Sequence, residues 1–196
     1  MTARAVAFAL LVTALAPRSA RAALDEPRFA LSLGTGGGGW SFDGTTGRLV
    51  DALARDPLRI SLALEGDARL TARLRGGLRP SSLWLYSGED GTRTSILLAR
   101  LEAIAVLRPA WPAGPFARAG LGPAVLRHAA RVPGLASGSL TAGGGSLSLA
   151  AGAYLARRGV ELRIEAEGSA QAWLPTDRGP DWSWTLVGSV GASWGL

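Results

Sequence analysis

The 196-residue chain has no cysteine, no lysine and a single histidine. The absence of cysteine excludes disulfides, thiolate metal sites, thiol nucleophiles and a lipid-modified cysteine. The absence of lysine excludes the nucleotide-binding loop whose lysine reaches the phosphates. All 21 basic residues are therefore arginines, and 15 acidic residues oppose them.

The excess of positive charge is small, and part of it lies near the N-terminus. Residues 1–22 contain three arginines, so the rest of the chain has 18 arginines against 15 acids. This balance, without a basic cluster interleaved with aromatic residues, does not favour nucleic-acid binding. With 47% hydrophobic residues, the chain is also too apolar for a disordered protein.

The N-terminal segment has the order of regions that is typical of a secretory signal peptide. The apolar run Ala5–Ala16 is too short for a transmembrane helix, which needs about 18 residues. Ala20 and Ala22 provide the small residues of a cleavage site. We therefore predict a signal peptide over residues 1–22 and one domain over residues 23–196.

Beyond this segment, apolar and polar residues alternate, which predicts β-strands with one apolar and one polar face. The predicted strands are longer than the five or six residues that are usual in soluble proteins. A soluble sandwich would turn the apolar faces inward, whereas a membrane barrel would turn them toward lipid. The eight predicted strands are Arg28–Phe42, Leu58–Gly66, Arg69–Ser87, Thr92–Arg108, Pro115–His128, Ser146–Arg157, Val160–Trp173 and Trp182–Leu196.

The connections between these strands differ in length at the two ends. Short turns are predicted at Asp67–Ala68, Pro109–Gly114 and Arg158–Gly159. Longer loops are predicted at Asp43–Pro57 and Ala129–Gly145, with Leu174–Asp181 intermediate and Gly88–Gly91 short. Tight turns at one end and longer loops at the other are typical of outer-membrane barrels, and an even strand number places both termini at one end.

Aromatic residues lie near the ends of the predicted strands, where a membrane barrel has its two aromatic belts. Those predicted at the looped end are Trp84, Tyr86, Trp173, Trp182 and Trp184, and those at the turn end are Trp111 and Trp194.

Three segments in order, Phe116–Gly122, Gly143–Leu155 and Trp182–Leu196, resemble strands of the small outer-membrane β-barrel proteins of Gram-negative bacteria. This resemblance implies an all-β, eight-stranded antiparallel up-and-down transmembrane β-barrel in the cell outer membrane. It also implies outer-membrane lipid and, during biogenesis, the barrel-assembly machinery as partners. The family commonly ends in an aromatic residue that this machinery reads, whereas this chain ends in Leu196, two residues after Trp194.

The polar faces of the predicted strands carry many charged residues. An eight-stranded barrel has room for side chains and little else, and charges removed from water must be paired. We therefore predict an arginine–glutamate ion-pair network that closes the lumen, with a narrow, anion-leaning conduit as the alternative. The predicted members are Arg59, Glu65, Arg73, Arg75, Arg79, Arg100, Glu102, Arg118, Glu161, Arg163, Glu165 and Glu167.

The sequence contains no complete catalytic motif. His128 is the one histidine, and some small outer-membrane barrels that act on lipid A have serine two residues after the histidine, where this chain has Ala130. Ser137 and Ser139 are the remaining serines that could approach it. We predict no enzymatic activity, no metal site and no cofactor.

The function predicted from the sequence is structural, or a surface interaction through extracellular loops whose partner the sequence does not identify. The alternatives are a narrow outer-membrane channel and a soluble periplasmic β-barrel or sandwich that binds an apolar ligand.

Overall fold

The computed structural model describes residues 27–41, 58–89, 92–108, 113–131, 133–134, 137–157, 160–176 and 180–195. These residues form eight strands, each antiparallel to the next, and β8 pairs with β1 to close a barrel. The predicted all-β, eight-stranded antiparallel fold is confirmed. The strands are β1 (Arg28–Trp40), β2 (Leu58–Arg69), β3 (Leu74–Glu89), β4 (Thr92–Leu107), β5 (Ala113–Arg131), β6 (Gly138–Arg157), β7 (Val160–Trp173) and β8 (Trp182–Gly195).

Several sequence predictions concern residues outside the described ones. These are the predicted signal peptide, residues 1–22 with Ala20 and Ala22, the predicted loop Asp43–Pro57 and the predicted belt residue Trp111. Within the part that is described, no helix is long and apolar enough to cross a membrane.

The alternation seen in the sequence sorts the side chains between the inside and the outside of the barrel. Along β7, every even position from Val160 to Ala172 is exposed and every odd position from Glu161 to Trp173 is buried. Ile164 is 61% exposed, whereas Glu167 is 2% exposed. Successive strand residues point to opposite faces, so the apolar face of the strand is outside and the charged face is inside.

The turn between β2 and β3 lies farther along the chain than predicted. The sequence places it at Asp67–Ala68, but β2 continues to Arg69 and the connection is 70–73. The Thr71 hydroxyl accepts hydrogen bonds from the backbone N–H groups of Arg73 and Leu74, which stabilises the turn there. The prediction was wrong because the alternating pattern runs through the turn without a break.

The predicted loop Ala129–Gly145 is also wrong, because β5 extends to Arg131 and β6 begins at Gly138. Glycines in this segment suggested a loop, but Gly144 lies within β6. A Cβ on Gly144 would lie 2.2 Å from the carbonyl oxygen of Ala172 and 2.9 Å from the ring of Trp173. Glycine here lets neighbouring strands and a bulky side chain approach closely.

The barrel has two ends, named here by their connections. The turn end carries the β2–β3, β4–β5 and β6–β7 connections, and the loop end carries the others. Arg28 at the start of β1 pairs with Gly195 at the end of β8, so the first and last strands meet at the turn end.

The interior is divided into layers along the barrel axis. The half toward the loop end is filled by an inner apolar cluster, the middle by charged residues, and the turn end by a small apolar cluster of Ile104, Val106, Phe116 and Tyr154 with further charges. The inner apolar cluster consists of Leu83, Leu85, Ile96, Leu98, Ala124, Leu126, Ala142, Trp173 and Val187, with Trp40 and Leu140 packed against it.

Candidate functional site

The middle layer of the interior is a central network of four arginines and four glutamates contributed by five strands. All eight side chains are buried, as the inward position of each on its strand requires. The members of the central network are Glu65, Arg79, Arg100, Glu102, Arg118, Arg163, Glu165 and Glu167.

Arg118 of β5 lies at the centre of this network. Its Nη1 donates to Glu165 at 2.8 Å and to Glu65 at 3.1 Å, and its Nη2 donates to Glu167 at 2.6 Å. The guanidinium therefore connects strands β2, β5 and β7 across the interior. Arginine suits this position because its planar fork can serve several carboxylates at once.

The other three arginines extend the network to its edges. Arg79 lies 2.7 Å from Glu167, and Arg100 pairs with the same glutamate and with Glu102. Arg163 donates through Nη1 to Glu65 at 2.9 Å and through Nη2 to the Ser32 hydroxyl at 3.1 Å.

Glycine on the inner face makes room for these groups. A Cβ on Gly120 would lie 2.6 Å from the Ser148 hydroxyl and 3.2 Å from Glu102 Oε2. Glu102 is also held by Ser146, whose hydroxyl donates to its Oε1 at 3.0 Å. The charged layer therefore fits the barrel because small residues and hydroxyls surround it.

A second charged group lies at the turn end. Arg75 forms an ion pair with Asp67, and Glu161 lies 2.9 Å from Arg28 and 2.6 Å from Arg108. The Arg108 guanidinium stacks over the ring of Tyr154, with Cζ 4.1 Å from the ring centroid. The sequence did not place Arg28, Asp67 or Arg108 in the interior, because each lay near a predicted strand end.

Two predicted members of the network lie elsewhere. Arg73 is exposed in the β2–β3 turn, because that turn falls at residues 70–73 and takes it out of the alternating strand. Arg59 has an inward position by alternation but is exposed at the loop end of β2. The other ten predicted members are buried in the interior, eight in the central network and Arg75 and Glu161 at the turn end.

The charges of the central network balance, with four arginines against four glutamates. The predicted excess of arginine inside the barrel is therefore absent from this layer. Balanced charges in contact neutralise one another, so the layer offers a passing anion little net attraction.

The inner apolar cluster was not predicted from the sequence. Ile96 and Leu98 of β4 are each 1% exposed and face inward, although Leu97 between them is also apolar. When both faces of a strand are apolar, alternation carries no signal for which face is inside. The one available signal was the loss of alternation itself around Leu97.

Beside this cluster, polar side chains of β7 and β8 satisfy one another. The Ser183 hydroxyl donates to Gln171 Oε1 at 2.7 Å, and Gln171 Nε2 donates to Ser169 at 2.7 Å. The Ser169 and Thr185 hydroxyls lie 2.6 Å apart. These four side chains thus satisfy one another's hydrogen-bonding groups beside the apolar cluster.

The predicted belt aromatics divide into two groups. Trp84, Tyr86, Trp182 and Trp184 are exposed on the outward face near the loop end, and Trp194 is exposed near the turn end. Trp173 is a correction, because it is buried in the inner apolar cluster and its Nε1 donates to the Ser183 hydroxyl at 3.0 Å. Its odd position in β7, shared with Glu167 and Gln171, is the reason that it faces inward.

The candidate catalytic residues are not brought together. His128 is buried on the inner face, whereas Ser139 is exposed on the outward face of β6 and Ser137, just before this strand, is exposed as well. Among the described residues, no group of three or more histidine, aspartate or glutamate side chains could hold a metal ion.

Solved structures of bacterial surface proteins have this fold. The chain is similar to Neisserial surface protein A, with a TM-score of 0.58 and 13% identity over 86% of this chain and 96% of that one. It is also similar to Ail, the attachment invasion locus protein of Yersinia pestis, with a TM-score of 0.53 and 14% identity over 87% and 99% of the chains. A major outer membrane protein from Thermus thermophilus gives a TM-score of 0.51 and 12% identity over 87% and 99%.

These likenesses establish the barrel fold, and their low identities carry no further assignment. No protein-family model matches the chain, and no curated protein sequence matches it.

Proposed function

We propose that this chain is an integral outer-membrane β-barrel whose interior is closed by its own side chains, and that it acts structurally or as a surface-interaction protein. The observation that carries the proposal is the inverted arrangement of the barrel, apolar outside and charged inside. A soluble barrel would expose its charges and bury its leucines, because burial of apolar surface drives folding in water.

The outward surface supports the membrane assignment. Leu149, Leu162, Ile164 and Leu186 are each more than half exposed, and they belong to a larger set of exposed leucine, isoleucine and valine side chains around the barrel. A patch of this extent would be unstable in water but is the surface that a lipid bilayer solvates. Exposed tryptophans toward both ends suit the two bilayer interfaces.

Two layers support a closed lumen. The central network fills the middle of the barrel with paired charges, and the inner apolar cluster fills the half toward the loop end. An ion would have to displace both, at the cost of breaking buried ion pairs and wetting an apolar core. With the lumen closed, the protein would contact other molecules through its outer surface and through the connections at the loop end.

The proposed partners follow from this location. The outward face would contact outer-membrane lipid, and the barrel-assembly machinery would insert the chain, as the resemblance of its strands implies. The partner at the loop end is unidentified.

Cell fractionation tests the location. The full chain, expressed in a Gram-negative host, should sediment with outer membranes, resist a carbonate wash and migrate differently on a gel before and after heating. Recovery in the soluble periplasmic fraction without detergent would overturn the membrane proposal and support the soluble barrel instead.

Planar-bilayer recording tests the closed interior. The purified barrel should give no steady conductance or only rare, small openings. A steady conductance with anion preference would overturn the closed interior and support the narrow channel, while leaving the membrane location intact.

A further inference from the structure

Three arginines lie on the outward face of the barrel at the loop end of β4 and β5. Arg93, Arg127 and Arg131 occupy odd positions of these strands, which point outward, and all three side chains are exposed. None of the three forms an ion pair with another described residue. Outward positions on the described strands contain no aspartate or glutamate, so no outward carboxylate of these strands neutralises the arginines.

The strand register brings two of these arginines together. Arg93 of β4 is directly opposite Arg131 of β5. Like charges at directly opposite positions destabilise a pair of strands. An anion held between the two guanidinium groups would remove this repulsion and turn it into attraction.

A depression lies beside the two arginines. Its volume is about 290 Å³, and its lining includes Arg93, Arg131, Ser95 and Ser139. Ala129 pairs with Ser95 on one side and with Ser139 on the other, so the short alanine side chain separates two hydroxyl groups. The depression therefore combines two guanidinium groups with two neutral hydrogen-bond donors, a set of groups that suits a phosphate.

The surroundings indicate where that phosphate comes from. Trp84 and Tyr86, both exposed, lie on the outward face of neighbouring β3. Trp84 pairs with Leu97, which in turn pairs with Arg127, so aromatic, apolar and basic side chains follow one another across three strands. Tryptophan and tyrosine favour the bilayer interface, which is the depth at which lipid headgroups lie.

We propose that Arg93 and Arg131, with Ser95 and Ser139, form a binding site for the headgroup phosphate of an outer-leaflet lipid, and that Arg127, opposite Leu97 and outside the lining of the depression, adds positive charge to the same surface. The arginines hold the phosphate through paired hydrogen bonds, and the apolar surface below them, including Val125, contacts the acyl chains. This inference rests on the proposed function, because it requires the outward face to contact lipid.

The absence of cysteine allows a label to be placed beside the site without a background signal. Gly88 is exposed and pairs with Arg93, so Gly88→Cys with an environment-sensitive fluorophore reports on the site. The labelled barrel, inserted into phosphatidylcholine vesicles, is compared across vesicles with increasing phosphatidic acid content, and separately with inorganic phosphate.

In these vesicles the label should respond to phosphatidic acid. Each arginine near an anionic surface strengthens binding by about fivefold, so Arg93→Gln with Arg131→Gln should weaken the response roughly 25-fold. The matched control is Arg69→Gln with Arg73→Gln, which removes two exposed arginines at the turn end and should leave the titration unchanged. Ala129→Trp keeps every charge but fills the depression, and it should also weaken the response.

Several outcomes would overturn the inference. One is an unchanged titration in the Arg93 and Arg131 double variant, and another is an equal loss in the control. A response to inorganic phosphate without a response to phosphatidic acid would exclude a lipid as the source of the phosphate. Failure of the barrel to insert into vesicles would overturn the proposed function as well, whereas insertion without an arginine-dependent response would overturn this inference alone.

Discussion

Arg118 and Glu165 form a two-point ion pair inside the barrel, with Nη1 donating to Oε2 at 2.8 Å and Nη2 donating to Oε1 at 3.2 Å. Both side chains are 1% exposed. Each charge is tolerated in this environment because the other is present. The pair joins β5 to β7, two strands that share no backbone ladder, and so stabilises the barrel across its interior.

Removing one member of this pair should strongly destabilise the barrel. Arg118→Gln leaves Glu65, Glu165 and Glu167 short of a partner, and breaking a buried pair in this way costs about 3–5 kcal/mol of unfolding free energy. Urea unfolding of the barrel in lipid vesicles measures the loss. Arg73→Gln, in the exposed β2–β3 turn, is the control and should change the free energy by no more than about 0.5 kcal/mol.

A double-mutant cycle separates the pair from general disruption. Arg118→Gln combined with Glu165→Gln should cost less than the two single changes added together, since the second change removes a charge that the first left unpaired. Additive losses would contradict the direct coupling of these two residues.

Trp173 should behave as a core residue and Trp182 as a surface residue. Trp173→Ala removes a buried side chain and the hydrogen bond to Ser183, and we expect a loss of about 3–5 kcal/mol. Trp182→Ala, on the outward face of the neighbouring strand, should cost clearly less. Unfolding of both variants in the same vesicles makes the comparison, and equal losses would show that Trp173 is not packed inside.

The sequence predicts the direction of the side chains better than the ends of the strands. Even and odd positions of β7 lie on opposite faces of the strand, as the alternation indicates. The same alternation predicts Trp173 inside the barrel. Its assignment to an aromatic belt was wrong because it followed from residue type and not from position in the strand. Alternation alone cannot locate a turn, so the sequence predicts Arg73 inside the barrel, whereas Arg73 lies in the turn that the Thr71 hydroxyl stabilises. It also says nothing where both faces are apolar, as at Ile96 to Leu98.

The inner apolar cluster should contribute as much stability as the core of a soluble protein. Leu126→Ala deletes a side chain that is fully buried inside the barrel, and we expect a loss of about 2–5 kcal/mol. Leu121→Ala is a matched control on the same strand, because Leu121 is 65% exposed on the outward face. A smaller loss for Leu126 than for Leu121, measured by urea unfolding, would contradict a packed interior.

Gly122 and Gly188 should respond differently to the same substitution. A Cβ at Gly122 would lie 1.9 Å from the carbonyl oxygen of Leu101 in the neighbouring strand, so Gly122→Ala forces backbone movement and should cost about 1–3 kcal/mol. Nothing lies within 4 Å of a Cβ at Gly188, so Gly188→Ala should be neutral or slightly stabilising. Their relative melting temperatures in detergent micelles test this close approach of β4 and β5.

A cysteine scan of β7 with nitroxide labels tests most directly whether the apolar face of a strand contacts lipid. The label at each position reports whether that position faces the bilayer or the interior of the barrel. Labels at even positions from Val160 to Ala172 should be accessible to oxygen, which concentrates in the bilayer. The accessibility to oxygen should therefore alternate from one residue to the next along β7. Labels at odd positions should be shielded from both oxygen and a water-soluble relaxation agent. Even positions that are shielded, together with odd positions that are open to the water-soluble agent, would contradict the account.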